Sequence, residues 1–331
     1  MASSPLTITN ATGYGLMGLT WRAQVTPDVQ AFPALSAAIA NGAVIWSTAE
    51  FYGTEDPLAG LKLVRRYFEA YPENAAKVTL FVKGCCDVKT LAPDCSRDGV
   101  RKSVENCLAA LGGAKSIDVY GPSRRDPSVP LEETLSALKE LVGEGKIGGI
   151  GLSEIGAATL EKAHAHTPLT LVEVEFSLWC TDILTNGVAS TAKKLGVPIL
   201  AYSPLGRGLL TGQIRSPADI PEGDIRHYLD RFQPENFDKN LDLVRKLQDV
   251  TARENVTPAQ LALAWVRATA NTEAAGAIIP IPGATAAPRV EENTKLVTLS
   301  SDVKAQIDAI DSSFPRQGGR YNTMLEQTLW A

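Results

Sequence analysis

The feature that most constrains this chain is a repeated alternation. Short, continuously apolar runs recur eight times, each separated from the next by a helical pattern or a turn-rich segment. The runs lie near 14–17, 43–47, 78–83, 116–120, 147–152, 170–175, 197–202 and 276–281. Only the first is weak, being broken by glycine. They are apolar throughout instead of alternating in polarity, as strands covered on both faces are. Apolar residues at helical spacing run over 58–71, 98–111, 131–142, 157–165, 183–195, 240–254 and 259–268, and a further segment, 301–312, follows a serine cap. Eight such units with no break in composition predict one closed (β/α)8 barrel, an α/β TIM barrel with an additional C-terminal helix and tail, as a single domain over 1–331. A doubly wound sheet is the alternative. It is disfavoured because no GxGxxG follows the first strand with an acidic residue about 20 positions on.

Composition narrows the function. The chain has 331 residues, 44% hydrophobic and 21% charged, with net charge −5. It carries no basic stripe, so nucleic acid and anionic membrane are poor partners. No apolar stretch approaches the roughly 18 residues of a span, and the first residues lack the basic and apolar regions of a leader. The five cysteines, Cys85, Cys86, Cys95, Cys107 and Cys180, match no zinc or redox spacing. Together these features predict a reduced, cytoplasmic protein with a small-molecule partner and no metal. The oligomeric state stays open. Cys85 and Cys86 read as small fillers at a strand end, with a thiol lining the site as the alternative.

Barrel active sites are built at the C-terminal ends of the strands. The polar residues there are Thr20 and Trp21 after run one, Ser47, Glu50 and Tyr52 at run two, and Lys83 at run three. Ser123 and Arg124 follow run four, Ser153 and Glu154 run five. Glu173 and Glu175 belong to run six, Tyr202 and Ser203 to run seven, Thr285 to run eight. Tyr52 and Lys83 end successive strands, so a phenol and an ammonium face one cavity. That pair suggests acid-assisted reduction of a carbonyl. The segment 206–237 is the longest irregular stretch and falls on the same face, where long loops tend to be functional.

Several motifs carry a resemblance to the aldo-keto reductases, nearly end to end. They are Ser47–Gly53 (STAEFYG), Lys83, Gly145–Glu154 (GKIGGIGLSE), Ala201–Gly212 (AYSPLGRGLLTG) and Ile279–Asn293 (IPIPGATAAPRVEEN). Gly15–Arg22, EFYG, Lys89–Pro93 and Arg320–Leu329 are most similar to fungal pyridoxal reductase-like members. The resemblance implies NADPH as cofactor and Tyr52 as proton donor, assisted by Lys83. It places Ser47 and Ser123 where the family usually has the Asp that anchors the lysine and the His that orients the carbonyl. It also implies a cofactor cradle of Met17, Ser153, Glu173, Tyr202, Ser203, Pro204, Leu205, Gly206, Gly208, Leu210, Pro282, Gly283, Thr285, Arg289, Glu292 and Asn293. In that cradle Tyr202 stacks on the nicotinamide, Ser153 and Glu173 hold the carboxamide, and Thr285 and Arg289 meet the 2′-phosphate. Glu173 stands where the family commonly has glutamine.

Around the substrate, Trp21, Phe51, Tyr120 and Trp179 are candidates for an apolar pocket. Arg124 or Arg125 reads as a receiver for an anionic group such as a phosphate, with a solvated loop charge as the favoured alternative. Nearby Lys⁺ is expected to lower the Tyr52 pKa from about 10. His164 and His166 fall on a helix away from the strand ends, and His227 is expected at the surface of the long loop. Pyridoxal is the favoured substrate. A ketone or enolic intermediate of a fungal secondary-metabolite pathway is the alternative, and a weakly catalytic NADPH-binding sensor or partner subunit is the second.

Overall fold

A computed structural model describes residues 11–322, 326 and 328–330. The first residues, read above as lacking a leader, and positions 323–325 and 327 of the tail motif lie outside the described residues. Eight strands follow in chain order: β1 (Tyr14–Gly15), β2 (Ile45–Ala49), β3 (Thr79–Gly84), β4 (Val119–Pro122), β5 (Gly151–Ser153), β6 (Leu171–Glu175), β7 (Ile199–Tyr202) and β8 (Ile278–Pro280). All neighbouring pairs are parallel, in two runs, β1 to β4 and β5 to β8. Parallel bridges close the ring: Ile117 with Ile147 and Tyr120 with Ile150 join the runs on one side, Gly15 with Gly283 on the other. The expected (β/α)8 barrel is therefore the architecture.

The helices are α1 (Met17–Thr20), α2 (Asp28–Ala40), α3 (Ala59–Ala70), α4 (Arg97–Leu111), α5 (Leu131–Gly143), α6 (Ala157–His166), α7 (Val188–Leu195), α8 (Pro234–Glu254), α9 (Pro258–Thr269), α10 (Ala287–Thr294) and α11 (Ser301–Ser312). Their ends follow capping chemistry. Ser96 accepts from the Gly99 N–H at the start of α4, and Gly112, at φ 58°, ends it. Thr257 and Gln260 form a reciprocal capping box around Pro258 at the start of α9, and Ser300 caps α11.

Four elements differ from the sequence reading. Helix α2 was not expected because Pro33 lies inside it. The proline removes the donor to the Val29 carbonyl, and Val29 is 82% exposed in the first turn, on the solvent side of the helix. Helix α10, packed on α2, was likewise missed. The expected helix over 183–195 is broken into a 3₁₀ turn (Asp182–Leu184) and α7, because Gly187 at φ 89° reverses the chain between them. The stretch 206–237 is a chain of 3₁₀ turns at Gly206–Thr211, Pro217–Asp219, Ile225–Tyr228 and Asp230–Phe232, and α8 already starts at Pro234.

The core has two parts. Outward residues of the strands pack under the helices, as Trp46 does on Phe68 and Tyr67. Inside the barrel, Ile45, Phe81, Val119, Leu171, Leu200, Ile279 and Ile281 form a separate apolar plug. Gly151 makes it possible: a Cβ there would sit 2.8 Å from the Phe81 ring and 2.9 Å from Leu171.

Candidate active site

Strand side chains alternate, so the residue two positions beyond each plug residue points inward again, closer to the C-terminal mouth. Beyond Ile45, Phe81, Leu171 and Leu200 those residues are Ser47, Lys83, Glu173 and Tyr202. The fold therefore places a polar layer directly on an apolar floor.

Three members of that layer form one cluster. Lys83 Nζ lies 3.0 Å from Glu173 Oε1 and 3.3 Å from Oε2. It also donates to Ser47 Oγ at 2.6 Å, and Ser47 Oγ donates to Glu173 Oε2 at 2.5 Å. All three residues are 3% exposed. Burial alone pushes the Lys83 ammonium down. The Glu173 carboxylate and the Tyr52 phenol outweigh it, and the net shift is upward from 10.5. Lys83 is thus held charged. Both carboxylate oxygens of Glu173 are engaged by Lys83 and Ser47, the position that sequence matching assigns to the nicotinamide carboxamide.

Tyr52 stands in the turn after β2. Its carbonyl is fixed by Thr20 Oγ1 at 2.6 Å and the Gly60 N–H at 3.0 Å. Gly53 permits that turn, since a Cβ there would lie 1.8 Å from the Asp56 carbonyl oxygen. The Tyr52 ring centroid is 5.4 Å from Lys83 Nζ. Trp21 stacks on the ring at 5.5 Å, and Phe51 meets it edge-on at 5.4 Å. Burial raises the Tyr52 pKa from 10.0. Lys83 pulls it down as expected, but Glu173 and Tyr321 push up, and the net direction is upward. The expected lowering is corrected on this point: the phenol stays protonated well beyond neutral pH.

Other candidates are placed as follows. Ser123 follows β4, is 8% exposed and donates its N–H to the Gly84 carbonyl. Its hydroxyl meets the Cys86 thiol, which burial pushes up to about 12. Cys85 is buried against Tyr120. Arg124 is half-buried, not a solvated loop charge, with its guanidinium on the Ser123 carbonyl and 6.0 Å from the Tyr321 ring. Tyr120 faces outward, its hydroxyl on Ser103 and Cys85, and is core instead of pocket. Trp179 is 3% exposed and packs on Phe232 and Arg231, not on the Trp21–Phe51–Tyr52 group. His227 is exposed at the surface, its ring on the Ile220 and Pro221 carbonyls.

The residues matched to a cofactor cradle fall at the C-terminal ends of β5 to β8, in the loops that follow, and on α1 and α10. Ser153 pairs in register with Glu173. After Tyr202 the chain turns through Ser203 (φ 48°), Gly206 (56°), Arg207 (53°) and Gly208 (97°). Left-handed non-glycine residues are costly and cluster at functional sites. Pro204, Leu205 and Leu210 complete this turn, with Leu210 2% exposed. Arg207 Nη2 has no hydrogen bond but is ion-paired with Glu175 Oε2 at 3.7 Å, and its guanidinium lies 4.8 Å from the Tyr321 ring centroid. Pro282 and Gly283 close the ring against Gly15. Thr285, Arg289, Glu292 and Asn293 lie before and along α10, and Met17, 37% exposed, opens α1. Arg289 meets Glu292 at 2.6 Å and keeps half of its side chain exposed. A left-handed, glycine-containing turn and an exposed arginine at a helix start fit a phosphate-bearing group.

Sequence reasoning missed one feature. Arg320, 5% exposed, enters the mouth from the tail and pairs with Glu154 at 2.8 Å and Glu175 at 3.0 Å. It also donates to Tyr202 Oη at 2.9 Å, and Tyr321 Oη is 3.0 Å from the same oxygen. The two glutamates were visible as strand-end carboxylates, but nothing in the sequence tied them to a tail arginine.

The sequence model of the Aldo/keto reductase family matches residues 11–312. The chain is 39% identical over 323 residues to "Probable pyridoxal reductase 2" of Schizosaccharomyces pombe, covering 96% of each. It is 43% identical over 302 residues to a Saccharomyces cerevisiae protein provisionally named pyridoxal reductase, covering 85% of this chain and 86% of that one. Among solved structures, a glycerol dehydrogenase from Gluconobacter oxydans superposes with TM-score 0.79 at 23% identity, over 95% of this chain and 97% of that one. That likeness concerns the barrel fold.

Proposed function

Because this chain belongs to the aldo/keto reductase family, we propose that it reduces an aldehyde to an alcohol with NADPH, pyridoxal being the favoured substrate. The observation that carries the reading is a phenol beside a charge-locked ammonium: Lys83 Nζ, 5.4 Å from the Tyr52 ring, is held by Glu173 and Ser47. When bound, a nicotinamide cofactor would supply the hydride that reaches the carbonyl carbon. Tyr52 gives its phenolic proton to the carbonyl oxygen as negative charge develops there. Lys83 stabilises the phenolate left behind, its Nζ 5.4 Å from the ring centroid. Trp21 and Phe51 flank Tyr52 and receive a flat aromatic aldehyde by stacking. The left-handed turn through Gly206 and Gly208 would let the backbone approach the pyrophosphate, and Arg289 would meet the 2′-phosphate that separates NADPH from NADH.

Two findings support pyridoxal: the names of the two yeast relatives, and the aromatic walls around the acid. The test is steady-state oxidation of NADPH and of NADH by the purified protein with pyridoxal, alongside a panel of aliphatic aldehydes and ketones. Turnover with NADPH and pyridoxal above every other pair supports the reading. Absence of turnover with any carbonyl overturns it.

A further inference from the structure

We propose that Glu173 is the positioning residue for Lys83, supplying from the opposite side of the barrel the carboxylate that β2 lacks. The proposal rests on the reading of Tyr52 and Lys83 as the acid and its partner.

Lys83 carries its charge in the barrel interior. An ammonium that is 3% exposed is costly unless paired and hydrogen-bonded. Its neighbour on the adjacent strand, Ser47, offers a hydroxyl and no charge. The only carboxylate that forms an ion pair with Lys83 among the described residues is Glu173. Lys83 and Glu173 belong to β3 and β6, which share no hydrogen bonds, so the contact crosses the barrel interior. Strand pairing does not impose it, whereas the inward alternation of both strands delivers it.

Ser47 makes the crossing rigid. Its hydroxyl accepts from Lys83 and donates to Glu173, so its one proton and one lone pair are both spent inside the cluster. The three groups form a closed triangle. Glu173 keeps the ammonium protonated and fixes where Nζ stands relative to the Tyr52 phenol. It transfers no proton and touches no reacting atom, so its effect passes through Lys83.

Ser47 Oγ already lies 2.6 Å from Lys83 Nζ, which allows a direct test by moving the charge. Glu173→Gln removes the carboxylate while keeping the shape. Ser47→Asp combined with Glu173→Gln returns one carboxylate to Lys83 from the neighbouring strand. Three quantities are measured: kcat and KM for pyridoxal, the NADPH dissociation constant by fluorescence titration, and Tm. The expected result is a kcat roughly 10- to 100-fold lower in E173Q, a fraction of what the acid itself contributes. KM and NADPH affinity stay within about twofold, and kcat recovers at least tenfold in S47D/E173Q.

An unchanged kcat in E173Q overturns the proposal. So does a lost NADPH affinity that S47D does not restore, which would make Glu173 a cofactor ligand. If E173Q does not fold, the double variant decides alone: folded and active supports the proposal, unfolded or inactive overturns it. A Tyr52→Phe variant measured in parallel separates the two levels. Full activity there removes the acid reading itself, whereas loss there with an indifferent E173Q removes only the role of Glu173.

Discussion

Lys83 Nζ and Glu173 Oε1 meet at 3.0 Å inside the barrel, although their strands are not neighbours. Both partners are buried, so removing one costs more than removing both. Deleting one partner strands a charge, and deleting both leaves an apolar gap.

This inequality predicts the behaviour of Lys83→Met. Stability falls by about 3–5 kcal/mol, because the Glu173 carboxylate is left buried with only Ser47. Adding Glu173→Gln restores most of that stability but none of the activity. Denaturant unfolding and turnover, measured on the two variants, check both halves; equal stability of K83M and wild type would contradict the pairing.

The raised Tyr52 pKa sets the pH dependence. The acid form of the phenol is the proton donor, so it remains competent up to its folded pKa. The rate of reduction is therefore flat through neutrality and falls only above the ordinary tyrosine value of about 10. Oxidation of the alcohol needs the phenolate and rises with pH over the same range. Rate profiles in both directions test this. A reduction rate already falling near neutral pH would contradict it.

Arg320 predicts a link between the tail and acid stability. Burial pushes the Glu154 carboxyl up, but Arg320 and Arg124 outweigh it, and its folded pKa is below 4.5. A carboxylate with a depressed folded pKa contributes stability above its unfolded value. That contribution is lost as pH falls through the folded value. In Arg320→Ala the depression is relieved, so acid unfolding begins at higher pH than in wild type. Neutral stability also drops by about 3–5 kcal/mol, since Glu154 and Glu175 lose a buried partner. Unfolding by circular dichroism between acid and neutral pH is the check.

Arg289 predicts cofactor choice. Its guanidinium is half exposed and contacts the side chains of Glu292 and Gln213 at the surface, so substitution leaves the fold intact. Arg289→Ala weakens NADPH binding about tenfold, the worth of one hydrogen bond to a charged group, and leaves NADH binding unchanged. Fluorescence titration with each cofactor measures the ratio.

The barrel was legible because eight buried strands leave eight continuous apolar runs, and caps such as Ser96 and Ser300 mark helix starts. Helix α2 carries Pro33 in its interior, and its place is fixed by tertiary packing on α10, which no local pattern reveals. At the site, Tyr52 and Lys83 could be named from strand ends alone. What joins Lys83 to Glu173, or Arg320 to Glu154, is contact between residues far apart in the chain, set by barrel closure. Ser47 was legible as a missing carboxylate, but the carboxylate across the barrel was not. The direction of the Tyr52 shift was misjudged for a related reason: burial and Glu173 are tertiary terms.

The central claim is that the Tyr52 phenol protonates the carbonyl. Single-turnover oxidation of bound NADPH by pyridoxal, in wild type and in Tyr52→Phe, tests it most directly. The account predicts a hydride-transfer rate lower by about 10²–10⁴-fold in the variant, with NADPH affinity and Tm preserved. A variant that transfers hydride at the wild-type rate would contradict it.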